Sequence, residues 1–256
     1  MPKLNRAGVQ IHYEVHGSGP ALLLSHGYSA TSQMWRGQVE AFSRLYKLIT
    51  WDMRGHGQSD YPADQSAYSE DATVDDMAAV LDEVGARDAI IGGLSLGGYM
   101  SLAFRLRHPE RVRALLIVDT GPGFKNDEAR AAWNKHAGSF ALEFEKNGLE
   151  SLKSRSAEMA ASAHRDASGL IKAAKGMLTQ RDAGVINSLP NINVPSLVVV
   201  GADDKPFLAA ADYMAAKIPN AAKVVIPNAG HAVNIDQPQA FNAAVLAFLK
   251  DAGLKT

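Results

Sequence analysis

Short apolar runs alternate with longer helical patterns along most of this chain, and that alternation limits its fold more than any other feature. Residues 21–25, 47–52, 89–93, 113–119, 196–201 and 223–227 are brief and mostly apolar without a break. Such runs suit parallel strands covered on both faces. Residues 3–6 and 9–16, either side of Ala7-Gly8, read as a hairpin. Between the runs lie helical stretches. Residues 71–84 carry Val74, Met77, Ala78, Leu81 and Val84 on one stripe at helical spacing. Residues 96–106, 208–217 and 239–249 also read as helices. Strand–helix alternation predicts an α/β fold with a mostly parallel central sheet and helices on both faces.

One region breaks the rhythm. Residues 121–190 contain no strand pattern, whereas 127–146, 149–156 and 168–180 look helical. A crossover between neighbouring parallel strands needs only one helix. Several helices predict a helical cap inserted after the sixth strand, with residues 1–120 and 191–256 forming the core. No internal repeat or low-complexity segment interrupts the pattern.

Composition narrows the function. Lys plus Arg is 26 and Asp plus Glu is 27, a net charge of −1. Bulk charge therefore holds this chain to neither nucleic acid nor an anionic membrane. A chain of 256 residues buries roughly 70–75% of its unfolded surface and needs no covalent staple. With no cysteine, disulfides, thiolate metal sites and a thiol nucleophile are all excluded. The N-terminal MPKLNRAGVQIHYEV has no apolar signal core, and no run approaches about 18 apolar residues. The expectation is a cytoplasmic protein without a membrane span.

The chemistry is concentrated in Ala89-Ile90-Ile91-Gly92-Gly93-Leu94-Ser95-Leu96-Gly97-Gly98-Tyr99. A strand runs into Gly-x-Ser-x-Gly and then into a helix. A nucleophile on so tight a turn needs neighbours without side chains, which Gly93 and Gly97 supply. The turn lifts the Ser95 hydroxyl clear of the sheet, and the helix aims its positive end at a developing anion. The bare pattern is short, so its strand-before, helix-after setting carries the argument. Phosphate-loop readings fail, because Gly-x-Gly-x-x-Gly spacing is absent at Gly92 and Gly93 and no Lys follows Gly98.

A serine hydroxyl needs a general base, and the base needs an orienting acid. Of eight histidines, His231 alone follows a late strand end, in Pro227-Asn228-Ala229-Gly230-His231-Ala232. Open α/β sheets build their sites on such loops. For the acid, the run Gly201-Ala202-Asp203-Asp204 offers two adjacent carboxylates pointing different ways, only one of which can meet the imidazole. The other is solvated or caps the following helix. Asp119, closing the preceding strand, is a third candidate acid or a polar strand terminus.

These motifs, in this order, resemble the α/β-hydrolase superfamily over nearly the whole chain. Ser25-His26-Gly27-Tyr28 is similar to the family's His-Gly segment. Asp52-Met53-Arg54-Gly55-His56-Gly57-Gln58-Ser59 is similar to its Asp-x-Arg-Gly-x-Gly-x-Ser turn. His108-Pro109-Glu110-Arg111-Val112 resembles its link to the sixth strand, and Gly230-His231 its closing pair. The Gly-x-x-Asp pattern places the acid at Asp204. The resemblance implies a capped serine hydrolase of the esterase or lactonase kind, with Ser95, Asp204 and His231 as the triad. It implies oxyanion donors at the backbone N–H groups of Leu96 and Tyr28, and an acyl-enzyme with no cofactor and no metal. Histidine and arginine in the two early turns are read as structural.

Ser95 excludes the branches with an aspartate nucleophile, haloalkane dehalogenases and many epoxide hydrolases. C–C bond hydrolases, thioesterases and cofactor-free perhydrolases retain the same triad, and so do ligand-binding receptors built on a hydrolase scaffold. The substrate is expected to be a small molecule, with selectivity set by a pocket under the cap. Candidate lining residues are Tyr28, Phe124, Trp133, Phe140, Phe207 and Val233, with Phe144, Met159 and Met177 more distant candidates. Arg130, Lys135 and Lys146 are the cations available for a carboxylate-bearing substrate, if they are not simply solvated.

Overall fold

The computed structural model describes residues 2–153 and 156–254. In chain order its strands are β1 (Lys3–Arg6), β2 (Val9–His16), β3 (Ala21–Ser25), β4 (Lys47–Trp51), β5 (Ala89–Leu94), β6 (Val112–Val118), β7 (Ser196–Gly201) and β8 (Ala221–Ile226). They form one sheet in the order β1-β2-β4-β3-β5-β6-β7-β8. The β1–β2 and β2–β4 pairs are antiparallel, and every later pair is parallel. The sequence predicted this mostly parallel α/β architecture.

Helices cover both faces because the central strands are apolar on both. Side chains alternate across a strand. Leu22, Leu24, Leu48, Ile90 and Leu116 therefore face one layer, with Trp35, Phe42, Phe241 and Val245 packed on them. Leu23, Ile49, Ile91, Leu115 and Ile117 face the other, against Met77, Leu81, Met100 and Phe104. The first layer belongs to α1 (Arg36–Ser43) and, at the chain's end, α9 (Val233–Asp236) and α10 (Pro238–Asp251). The second belongs to α2 (Glu70–Glu83), α3 (Leu96–Arg107) and α8 (Lys205–Lys217).

Between β6 and β7 the described residues hold no strand, only α4 (Asp127–Asn147), α5 (Ala157–Ala160), α6 (Ser168–Gly176), α7 (Gly184–Ser188) and 3-10 turns. Three details differ from the sequence reading. The helix expected over 149–156 is a 3-10 turn, Gly148–Leu152, and its Ser154 and Arg155 lie outside the described residues. The helix expected over 168–180 stops at Gly176, where a Cβ would run into the Tyr68 carbonyl oxygen. The helix expected from 208 starts at Lys205, because Pro206 is pre-set for a first helical turn.

Three imidazoles cluster at the sheet's carboxyl end, and one of them, His164, ties the segment between β6 and β7 to the early turns. Met53 N–H donates to His26 Nε2 at 2.9 Å, so Nδ1 carries the proton and donates to the Gly27 carbonyl. Ser29 N–H likewise donates to His56 Nε2. His164, between β6 and β7, accepts from Gly57 N–H at 3.1 Å and donates Nε2–H to the Ser29 carbonyl at 3.0 Å. Burial pulls all three below their ordinary value, with His164 lowered to about 4. A neutral imidazole is therefore what the fold holds. The contribution of His164 is complete above its ordinary 6.5 and is lost as pH falls from there toward about 4, since the unfolded chain takes the proton first. The expected result is a melting temperature that declines across that window. His164→Gln, which keeps a donor and an acceptor without titrating, should flatten the decline; an unchanged pH profile in this variant would refute the assignment.

Candidate active site

The site is built where strand ends meet loops. β5 delivers Ser95 at φ 56° and ψ −116°, a left-handed backbone that favours glycine. Ser95 N–H donates to the Val118 carbonyl at 2.9 Å, so the strained turn is pinned to β6. A Cβ on Gly97 would overlap the Ser25 carbonyl oxygen, and one on Gly93 would overlap the backbone of Gly97. The two glycines are therefore required by close backbone approach on both sides of the turn. Helix α3 begins immediately after Ser95, and its first N–H groups point out of the helix end with no intrahelical acceptor.

The loops after β7 and β8 bring a carboxylate and an imidazole together. Asp204 Oδ2 lies 2.8 Å from His231 Nδ1. The two loops are stitched by Ala202 N–H to Ile226 O and by Asp203 N–H to Ala229 O, both at 2.9 Å. Asp204 is buried and Asp203 is exposed, so the pair divides as the adjacent directions of neighbouring side chains require. Phe207 stacks on the His231 ring at 5.0 Å between centroids. Burial alone would lower the His231 pKa. The hydrogen bond and charge of Asp204, with Glu158 and Asp119 behind them, outweigh burial and raise it.

Asp119, the third candidate acid, has its carboxylate engaged elsewhere. Oδ1 accepts from Gly201 N–H at 2.8 Å and Oδ2 from Val233 N–H at 3.4 Å. Burial pushes its pKa up, against the pull of the Gly201 N–H and the His231 charge.

A cavity of about 220 Å³ opens beside Ser95. Leu96, Phe124, Trp133, Leu178 and Phe207 give it apolar walls, and Gln180 and Thr120 add polar groups. The described residues hold no group of three or more His, Asp or Glu placed to hold a metal, and no helix long and apolar enough to cross a membrane.

A family model for the alpha/beta hydrolase fold matches residues 20–166 and 162–238. The chain belongs to the α/β-hydrolase fold family. Among curated proteins, this hydrolase is similar to 3-oxoadipate enol-lactonase 2 of Acinetobacter baylyi, 28% identical over 96% of each chain. Among solved structures it is similar to a thermophilic esterase from Thermogutta terrifontis, with a TM-score of 0.83 and 25% identity over 98% of this chain and 99% of that one. It is also similar to a hydrolase from Pseudomonas aeruginosa PA01, with a TM-score of 0.79 and 27% identity over 97% of both chains. Membership and relatives together indicate a hydrolase.

Of the residues expected to line this hydrolase's pocket, Phe124, Trp133 and Phe207 do so. Tyr28, Phe140 and Val233 are not among the lining residues. Tyr28 is buried with its hydroxyl donating to the Leu170 carbonyl at 2.9 Å, and its ring packs on Phe140 and Phe144. Tyr28 and Phe140 thus join the helices between β6 and β7 to the loop after β3. Val233 is fully buried at the start of α9, within the opposite core layer. Met177 is also core, and Met159 only packs against it. Lys135 and Lys146 are exposed on α4, and Arg130 donates to the Phe124 carbonyl and pairs with Asp127, behind the cavity wall. The sequence reading missed Leu178, Gln180 and Thr120. Gln180 follows no motif, but Thr120 directly follows Asp119, the polar end of a predicted strand.

The Asp-x-Arg-Gly-x-Gly-x-Ser turn is an internal brace. Asp52 accepts from Ser32 N–H and Gln58 N–H at 2.7 and 2.8 Å. Arg54 makes a two-pronged contact with buried Asp76 at 2.5 and 2.8 Å.

Proposed function

We propose that this hydrolase cleaves small-molecule carboxylic esters or lactones through an acyl-enzyme. Ser95 is the nucleophile, His231 the general base, and Asp204 the acid that holds the imidazole. The observation that carries the reading is the 2.8 Å Asp204–His231 pair on strand-end loops of the same sheet that lifts Ser95 into an apolar cavity. With Asp204 accepting at Nδ1, the imidazole presents Nε2 as a base. His231 takes the serine proton as Ser95 Oγ attacks the carbonyl carbon. It then returns that proton to the leaving oxygen. Water repeats the sequence on the acyl-enzyme and frees the acid.

The oxyanion is assigned to the backbone N–H groups of Leu96 and Tyr28. Leu96 is the first residue of α3, where N–H groups lack helical acceptors, and each good donor is worth roughly 3–4 kcal/mol. Residues 121–190 are read as the cap. Supporting that reading, the cavity takes Phe124, Trp133 and Leu178 from this segment and Ser95 and Phe207 from the core.

A fluorophosphonate, whose phosphorus is attacked by an activated serine oxygen with loss of fluoride, tests the reading. The folded protein should be labelled once, at Ser95, and lose its activity toward a short aryl ester in proportion. Absence of labelling in folded protein would sink the serine-hydrolase assignment.

A further inference from the structure

We propose that Asp119 is a positioning residue that fixes the Asp204 and His231 loops to the strand on which Ser95 is pinned; the proposal rests on the triad reading above. The last residue of β6 and its two successors reach every loop that matters. Val118 O accepts from Ser95 N–H at 2.9 Å. Thr120 Oγ1 donates to the Ser95 carbonyl at 2.7 Å. Between them, Asp119 sends one carboxylate oxygen to Gly201 N–H, at the root of the Asp204 loop, and the other to Val233 N–H, just beyond His231. Direct stitches between the Asp204 and His231 loops hold them to each other, but Asp119 ties both to β6.

The backbone shows why the residue is an aspartate. Asp119 sits at φ +43°, in the left-handed region. Glycine tolerates that region best, and asparagine tolerates it as well as aspartate does. Backbone preference alone therefore does not select a carboxylate. Two acceptor oxygens facing two backbone donors do, since an asparagine amide offers only one acceptor and would turn an N–H toward one of those donors. The side chain is also fully buried, so water cannot substitute as the second acceptor. The charged groups around His231 are Asp204, Glu158 and Asp119 itself. Asp119 is not among the residues lining the cavity, and both its oxygens face backbone N–H groups, so beyond its charge on the imidazole its effect passes through the position of the Asp204–His231 pair.

The test compares Asp119→Asn and Asp119→Gly with wild type on a short aryl ester. It also follows the downfield proton resonance of the His231 Nδ1–H···Asp204 hydrogen bond and the thermal melt. Misplacing a reacting pair by about 1 Å costs on the order of 10²-fold in rate. Asp119→Asn should lose about that in kcat with KM near wild type, and the downfield resonance should weaken or vanish. Asp119→Gly relieves the left-handed backbone and removes both acceptors, so it should fold and lose at least as much. Either variant retaining kcat and the resonance, with only a lower melting temperature, would overturn the proposal and leave Asp119 a structural residue. The resonance is read without turnover. If Ser95→Ala proves active and the nucleophile assignment fails, the resonance still decides whether Asp119 positions the pair.

Discussion

Replacing Ser95 by alanine is expected to lower kcat for a short aryl ester by at least about 10⁴-fold while leaving the fold intact. The loss is large because the proposed nucleophile, base and acid act as a unit. Without the hydroxyl, His231 has no proton to take and no acyl-enzyme forms. What remains is water attack helped by the cavity and the N–H groups at the start of α3. Stability should move the other way in a second variant. Ser95 is held at φ 56° and ψ −116°, a conformation that costs a non-glycine residue on the order of 1–3 kcal/mol. Ser95→Ala keeps that strain, whereas Ser95→Gly removes it and should gain about 1 kcal/mol, after the greater chain entropy of glycine is subtracted. The checks are single-turnover kinetics on the ester and chemical denaturation of all three proteins. A glycine variant no more stable than the alanine variant would mean the turn is not strained. An alanine variant with near-wild-type turnover would move the nucleophile elsewhere.

The strain at Ser95 also shows which parts of the site were legible in the sequence. The elbow was readable because close backbone approach demands Gly93 and Gly97, and glycine spacing is visible in a sequence. The parallel strands were readable because Ile90 and Ile91, or Leu23 and Leu24, are buried on opposite faces, which leaves a continuous apolar run. Helix α1 was not, since Arg36–Ser43 is short, mostly polar, and lacks a side-chain N-cap bond. The pocket was only half legible. Trp133 and Phe140 lie on similar faces of α4, but they stand seven residues apart, about 10 Å along the axis. Only the N-terminal part of that helix reaches the cavity, so Trp133 lines it while Phe140 packs on Tyr28. Distance along an element, unlike its face, depends on where the element is docked, and no local pattern encodes that. The acid was ambiguous for a related reason. Asp203, Asp204 and Asp119 all close strands, and what separates them is which carboxylate meets an imidazole and which meets backbone N–H groups.

That separation gives the second large effect. Asp204→Asn should reduce kcat by roughly 10³–10⁴-fold, and Asp203→Asn should leave it unchanged. The amide preserves size, so packing around the buried side chain survives. Its N–H, however, would face His231 Nδ1 and force the proton onto Nε2, the nitrogen that accepts from Ser95 in the proposed mechanism. The pH profile should move with a definite sign. In the native protein the bond and charge of Asp204 overcome burial and raise the His231 pKa. Without that charge burial prevails, held back only by Glu158 and Asp119, so the acid limb of kcat/KM should shift to lower pH. Asp203 is exposed, and its substitution removes a solvated charge with no bond to the imidazole. A full pH–rate series on the two variants distinguishes the carboxylates. Loss of rate in Asp203→Asn with a normal Asp204→Asn would reverse the assignment. A slow Asp204→Asn with an unmoved acid limb would mean that the imidazole's basicity is set by some group other than the carboxylate 2.8 Å from it.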